Sequence, residues 1–285
     1  MHDGDRFVLT LSCEDRIGIV AAVSQFLFER RCNIVDSAQF GDPDNGLFFM
    51  RTSFQALEPA ALAELDAQFE PVRRKFAMNA EFHVLGARLP TLVMVSRIGH
   101  CLNDLLYRHG IGALPIDIRA IVSNHMDFAG VADAAGVAFH HLPVTTATKA
   151  EQEAKLLEIA RAAKVELIVL ARYMQVLSGN FCAHYPAGII NIHHSFLPSF
   201  KGAQPYKQAH DRGVKLIGAT AHYVTEHLDE GPIIEQAVER VTHAQSVEDL
   251  AAAGRDLESV VLARAVKWHA EHRILLNGMR TVVFH

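Results

Sequence analysis

The residues best suited to chemistry fall in two short stretches. NIHHSFLPSFKG, residues 191 to 202, comes straight off the apolar run Ala187 to Ile190, and HLDEGPII, residues 227 to 234, lies further along. Asn191 and His193 are two residues apart, so on a strand they project from the same side. An amide NH2 and an imidazole placed together can donate hydrogen bonds to one oxygen, which is what a tetrahedral acyl intermediate needs. In the second stretch, apolar residues enclose Asp229, Glu230 and Gly231. A carboxylate near His193 would hold the ring in place, favour its protonated form and orient a water. Asn191, His193 and Asp229 together predict acyl transfer. Singly they say less, because a strand-end Asn-x-His commonly satisfies local backbone groups and Asp-Glu-Gly is ordinary turn chemistry.

These residues need a rigid platform. From residue 91 apolar strands alternate with helical segments, including the amphipathic stretch 149–164, which predicts a parallel sheet covered on both faces. Ligands of such sheets bind at the carboxyl ends of the strands, where residues 191 to 193 sit. Two later strands, 215–224 and 232–241, are joined by a short loop and should be antiparallel, and residues 246–272 read as a long final helix. The first 85 residues read strand, helix, strand, strand, helix, strand, a ferredoxin-like βαββαβ unit, with a hairpin signal at Asp42-Pro43-Asp44-Asn45-Gly46. Gly86 to Pro90 breaks the periodicity. The expected organisation is therefore α/β throughout: a domain over 1–85, a linker over 86–90, and a doubly wound, mostly parallel Rossmann-like domain over 91–285.

Composition narrows the partners. Lys and Arg total 27 against 32 Asp and Glu, a net charge of −5, so no basic excess is available for a phosphate backbone and nucleic acid is not expected. The start, MHDGDRFVLT, carries acidic residues where a secretory signal carries positive charge, and no apolar run approaches the ~20 residues of a membrane helix. A cytoplasmic protein with no membrane partner is the expectation. Cys13, Cys32, Cys101 and Cys182 are far apart and form no CxxC pair, against both a zinc knuckle and a disulfide framework. The pairs His140/His141 and His193/His194 raise the question of a metal, but neighbours on a strand point to opposite faces and chelate poorly. No metal is expected.

At this point the sequence resembles a known family. Residues 90 to 285 are similar to the folate-dependent formyltransferases, whose catalytic Asn, His and Asp match Asn191, His193 and Asp229. LARYMQVLS, residues 170 to 178, resembles the family segment that lines the pterin pocket, which implicates Arg172, Tyr173, Met174, Val176 and Leu177. The stretch from Val224 through Thr225 to Asp229 matches the opposite wall. Gly202, which closes the first motif, and His222, expected just behind the catalytic set, are assigned to the pocket on the same resemblance. Transferases that act on a phosphorylated amine carry a glycine-rich loop after the first strand of this domain, whereas this chain has Ser96-Arg97-Ile98-Gly99-His100-Cys101-Leu102. The His-Cys-Leu version, with NIHHSFLP and GATAHYVT, resembles the formyltetrahydrofolate deformylases.

The resemblance extends to the N-terminal unit, which is similar to an ACT domain. Its effector turn would be Asp15, Arg16, Ile17, Gly18 and Ile19, and it implies a glycine or methionine effector and a homo-oligomer. The implied reaction is hydrolysis of 10-formyltetrahydrofolate to tetrahydrofolate and formate, without metal or cofactor, supplying formate for purine synthesis. Two rivals stand beside it: formyl transfer to an amine acceptor, and an amino-acid-binding regulator without activity.

Overall fold

A computed structural model describes residues 6–198 and 205–285. The chain forms two compact units. The first takes in residues up to Ala87 together with Glu271–Asn277 and Thr281–His285, and the second spans Arg88–Ala270 and Gly278–Arg280.

In the first unit the elements run β1 (Arg6–Glu14), α1 (Ile19–Glu29), β2 (Cys32–Asp42), β3 (Leu47–Ala56), α2 (Leu62–Phe76) and β4 (Asn79–Val84), with sheet order β2-β3-β1-β4 and antiparallel pairing throughout. This is the expected βαββαβ unit. Helix α1 buries Ile19, Val23, Phe26 and Leu27, one stripe at helical spacing, against the sheet. The rings of Phe26, Phe69 and Phe82 meet edge to face in the core, with Phe26 and Phe69 4.9 Å apart. The predicted hairpin turn is present, with Gly46 at φ 69°.

Strand β3 is buried along most of its length, which a half-exposed antiparallel strand would not be. The reason lies at the far end of the chain. Arg51, on β3, is 2% exposed and donates to the carbonyls of Glu271 and His272, and the His272 ring stacks on His83 of β4 at 3.6 Å. Asn277 donates to Asp42 and accepts from Asn45, knitting the first hairpin turn to the last one.

The second unit continues with β5 (Leu89–Val95), α3 (His100–Gly110), β6 (Ile116–Ser123), α4 (Ala129–Ala134), β7 (Ala138–His141), α5 (Lys149–Ala162), β8 (Leu167–Leu170), α6 (Gly179–Cys182), β9 (Ile189–His193), α7 (Pro205–Asp211), β10 (Leu216–Tyr223), β11 (Ile233–Arg240) and α8 (Val247–Ala270). The seven-stranded sheet has the order β11-β10-β9-β8-β5-β6-β7. From β7 across to β9 neighbours are parallel, and β10 and β11 add antiparallel edges, as the short connecting loop predicts. The order reverses between β5 and β8, so the loops that leave those two strands open a crevice at their carboxyl ends.

Two expectations need correction. Strand β5 begins at Leu89, inside the expected linker, since Leu89 and Pro90 already pair with Ile116 and Asp117. The C-terminal residues do not all belong with the second unit, because after α8 the strand β12 (Ile274–Asn277) and most of β13 (Arg280–Val283) group with the first. Asn277-Gly278 between two apolar runs, with Gly278 at φ 61°, was the overlooked hairpin signal. Among the described residues no helix is long and apolar enough to cross a membrane.

Candidate active site

Strand β9 delivers Asn191 and His193 to the crevice on one side, and Asn191 lies between Leu170 of β8 and His222 of β10 in the ladder. The loop after β10 brings Asp229 back over them. That return needs Gly231, since a Cβ there would lie 1.8 Å from the carbonyl oxygen of Tyr223. Asp229 itself has φ 55°, a left-handed conformation that Asp tolerates better than most residues.

Once assembled, the polar groups leave little freedom. Nδ1 of His193 lies 3.2 Å from Oδ2 of Asp229. A carboxylate can only accept, so Nδ1 carries the proton, and the buried Nε2 has no hydrogen-bond partner among the described residues. His222 donates from Nδ1 to the Tyr223 carbonyl at 2.8 Å, so in the neutral ring Nε2 accepts, here from the Asn191 amide at 3.2 Å. One amide N–H of Asn191 is thereby used and the other left for the pocket. Burial works against ionisation of Asp229, but the hydrogen bond from His193, helped by charge whenever that ring or His222, 3.7 Å away, is protonated, holds it well below the usual carboxylate range. Next to them burial, with Arg172 and His193 alongside, pulls His194 down to about 4 and keeps it neutral.

These residues line a cavity of about 240 Å³. One wall is Arg172, Tyr173, Met174, Val176 and Leu177, the other His222, Val224, Thr225 and Asp229, so the expected pocket residues converge. Gly202 lies outside the described residues. His227 and Leu228, within the expected 224–229 wall, line it too, while Gln175 and His194 also line the cavity and were not assigned to it from the sequence. Met174, Val176 and Leu228 are exposed at its rim, apolar surface of the kind that receives a flat ring.

The Formyl transferase family matches residues 90–266 and the ACT domain family residues 7–70. Formyltetrahydrofolate deformylase of Corynebacterium sp. (strain P-1) is 48% identical over 284 residues, covering 99% of each chain. The chain belongs to the formyltetrahydrofolate deformylase family. The crystal structure of the Burkholderia mallei formyltetrahydrofolate deformylase superposes with a TM-score of 0.94 at 52% identity, over 99% of this chain and 100% of that one. Glycinamide ribonucleotide transformylase 1 of Symbiobacterium toebii reaches 0.66 at 32% identity and covers 71% of this chain and 97% of its own. The fold is thus the α/β pair expected of the deformylase family, an ACT unit followed by a formyltransferase-like sheet.

Behind the pocket of this deformylase-family chain lies a set of buried polar groups. The 172–178 segment is tied at intervals: Ser96 N donates to the Arg172 carbonyl, Met174 N to the Ser96 hydroxyl, and Gln152 to the Tyr173 hydroxyl at 3.1 Å. At its end both the amide and the hydroxyl of Ser178 donate to Glu153. At its start Arg172 lies against Glu258 of α8. The sequence reading missed Gln152, Glu153 and Glu258. A signal existed in α8, where Leu250, Gly254, Glu258, Val261 and Ala265 recur on one buried face, because a glycine and a charge are not what an apolar helix face ordinarily carries.

His100, Cys101 and Glu258 bring three donor atoms within 4.8 Å of one another. The set fits a metal poorly. Burial pushes the Cys101 thiol far up, so it stays protonated, and the Glu258 carboxylate already serves the Arg172 cation.

In the ACT unit Asp15, Arg16, Gly18 and Ile19 line an open hollow of about 520 Å³ together with Gln39, Phe40 and Gly41. Gly18 caps α1 at φ 96°, a conformation that suits glycine. The fifth residue of the expected effector turn, Ile17, points to solvent and is not part of this lining.

Proposed function

We propose that this chain hydrolyses 10-formyltetrahydrofolate to tetrahydrofolate and formate. The observation that carries the reading is the His193 ring, held by Asp229 at one nitrogen and leaving the other, buried, without a partner among the described residues, in the cavity wall that also carries Asn191. A buried ring nitrogen without a partner marks a place for a substrate atom.

In this reading the pterin lies between the 172–177 wall and the 222–229 wall. Water adds to the formyl carbon, and the oxygen that becomes negative takes hydrogen bonds from Asn191 and protonated His193. Asp229 orients the water and accepts its proton. His193 then gives its proton to the leaving nitrogen as the carbon–nitrogen bond breaks. His222 fixes the Asn191 amide in its donating orientation. No metal or cofactor takes part, so activity should survive dialysis against a chelator.

Incubating the pure protein with 10-formyltetrahydrofolate and no acceptor should release formate. Strict dependence on glycinamide ribonucleotide would overturn the hydrolase in favour of a transferase, and no turnover with either would favour the inactive regulator. The wider reading gives the ACT unit an amino-acid effector, glycine or methionine, at Asp15, Arg16, Gly18 and Ile19. It also gives the protein a homo-oligomeric state built on the edge strand β2, which exposes Ile34, Val35 and Phe40. Calorimetry with each amino acid and sedimentation of the pure protein test these two points.

A further inference from the structure

Glu258 is 1% exposed, in the middle of α8, and takes no part in the chemistry above. A buried carboxylate needs partners that reward ionisation, and here they are specific. One oxygen accepts from the Tyr206 hydroxyl at 2.6 Å, and the other faces Nε2 of His100 at 2.9 Å and Nε of Arg172 at 3.4 Å. Burial opposes ionisation, yet these contacts hold Glu258 below its ordinary carboxylate range.

The helix is shaped for this arrangement. Gly254, one turn before Glu258, is a costly residue inside a helix, but a Cβ there would lie 2.1 Å from the Tyr206 ring. Its absence lets the ring lie against α8 with the hydroxyl at Glu258. Arg172, the far partner, is 9% exposed, sits at φ 64° and opens the pocket wall that continues through Leu177. Neither the left-handed turn nor the buried guanidinium is stable alone.

We propose that Glu258 is a positioning residue: by neutralising Arg172 from behind, with Tyr206 and His100 holding its own carboxylate, it sets the start of the folate wall. The proposal rests on the reading of this cavity as the folate site. It excludes a purely structural role, in which Glu258 would affect only how much protein is folded.

The test is steady-state hydrolysis, with melting temperatures, for the wild type, Glu258→Gln, Arg172→Gln and the double variant. Glu258→Gln should raise KM for 10-formyltetrahydrofolate about tenfold or more, since it leaves a buried cation unpaired, with kcat per folded enzyme falling less. The double variant should be less impaired than the product of the two single defects. Unchanged KM in folded Glu258→Gln, or additive defects in the cycle, would overturn the proposal. If Glu258→Gln does not fold, Tyr206→Phe keeps the charge and removes one tether, so a KM increase of about threefold is expected and an unchanged KM refutes the idea. A wild type that releases no formate defeats the functional reading itself, while an active wild type with indifferent variants defeats only this one.

Discussion

The two walls of the pocket use buried polar groups in opposite ways. On the side of β9 and β10, Asn191, His193, His222 and Asp229 line the cavity and bond mostly within their own set, and among the described residues one nitrogen is left without a partner. On the side of residues 172 to 178 the polar atoms point away from the cavity, into Glu258, Gln152, Glu153 and Ser96, leaving Met174 and Val176 at the rim. The first wall is arranged to act on a charge that develops, and the second to hold a surface still. Substitutions on the first side should therefore alter turnover, and those on the second should alter binding.

The largest effect expected is at Asp229. Asp229→Asn keeps shape but removes the charge that supports the His193 imidazolium and orients water. Turnover should fall by about a hundred- to a thousandfold, some 2.7 to 4 kcal/mol, with the tetrahydrofolate dissociation constant nearly unchanged. Kinetics and calorimetry on the folded variant decide it. A variant with near-wild-type turnover would remove Asp229 from the mechanism and leave Glu230 as the next carboxylate to test.

A second effect concerns stability. Behind β10 the half-buried His269 bonds the Tyr223 hydroxyl at 2.8 Å, and desolvation pulls this ring down to about 4. An unfolded chain protonates histidine near pH 6.5, so between about 6.5 and 4 the unfolded state binds the extra proton and stability falls as pH falls. The contribution is complete above about 6.5 and reaches about 3 kcal/mol from this group. Urea melts at pH 7.5 and pH 5 should show the loss, and His269→Asn should reduce it, leaving the share of His194, which is also drawn down to about 4. An equal pH slope in the variant would show that other groups carry the acid sensitivity.

Smaller again is the effect of Glu153→Gln, which weakens the tie at Ser178. Losing charge from that bond should cost about 1 kcal/mol, seen as a severalfold rise in KM with kcat preserved. A loss confined to kcat would break the division between the walls. The smallest expected effect is in the ACT unit, where Gly18→Ala places a Cβ at φ 96° beside the hollow. It should weaken amino-acid binding by about 1 kcal/mol and leave basal hydrolysis intact. Calorimetry and an assay without amino acid separate the two.

The division between the walls also explains what could be read in advance. Asn191, His193 and Asp229 stand in compact motifs whose chemistry follows from residue type and strand period, and the apolar runs announce the parallel sheet. Glu153 and Gln152 lie in a helix that reads as ordinary and amphipathic, yet both are buried, because their partners Ser178 and Tyr173 come from a distant loop. Periodicity records which face of a helix is apolar but not which polar residue has a buried partner. Glu258 was the more detectable case, through Gly254. The last hairpin was missed for a related reason: a sequence read from left to right gives residues 271–285 to the helix before them, whereas Arg51 and Asp42 claim them for the first unit.

That claim affects the order of events during synthesis. Chains fold from the N-terminus as they emerge, and β1 to β4 can pair as soon as Ala87 has appeared. Arg51 and Asp42 then wait for partners that lie up to 190 residues later, the distance from Ala87 to Asn277. At roughly 5 to 20 residues per second, the face of the young sheet around Arg51 stays open for on the order of 10 to 40 seconds. The segment that finally covers it is attached to the end of α8, so the first unit to begin folding is among the last to finish.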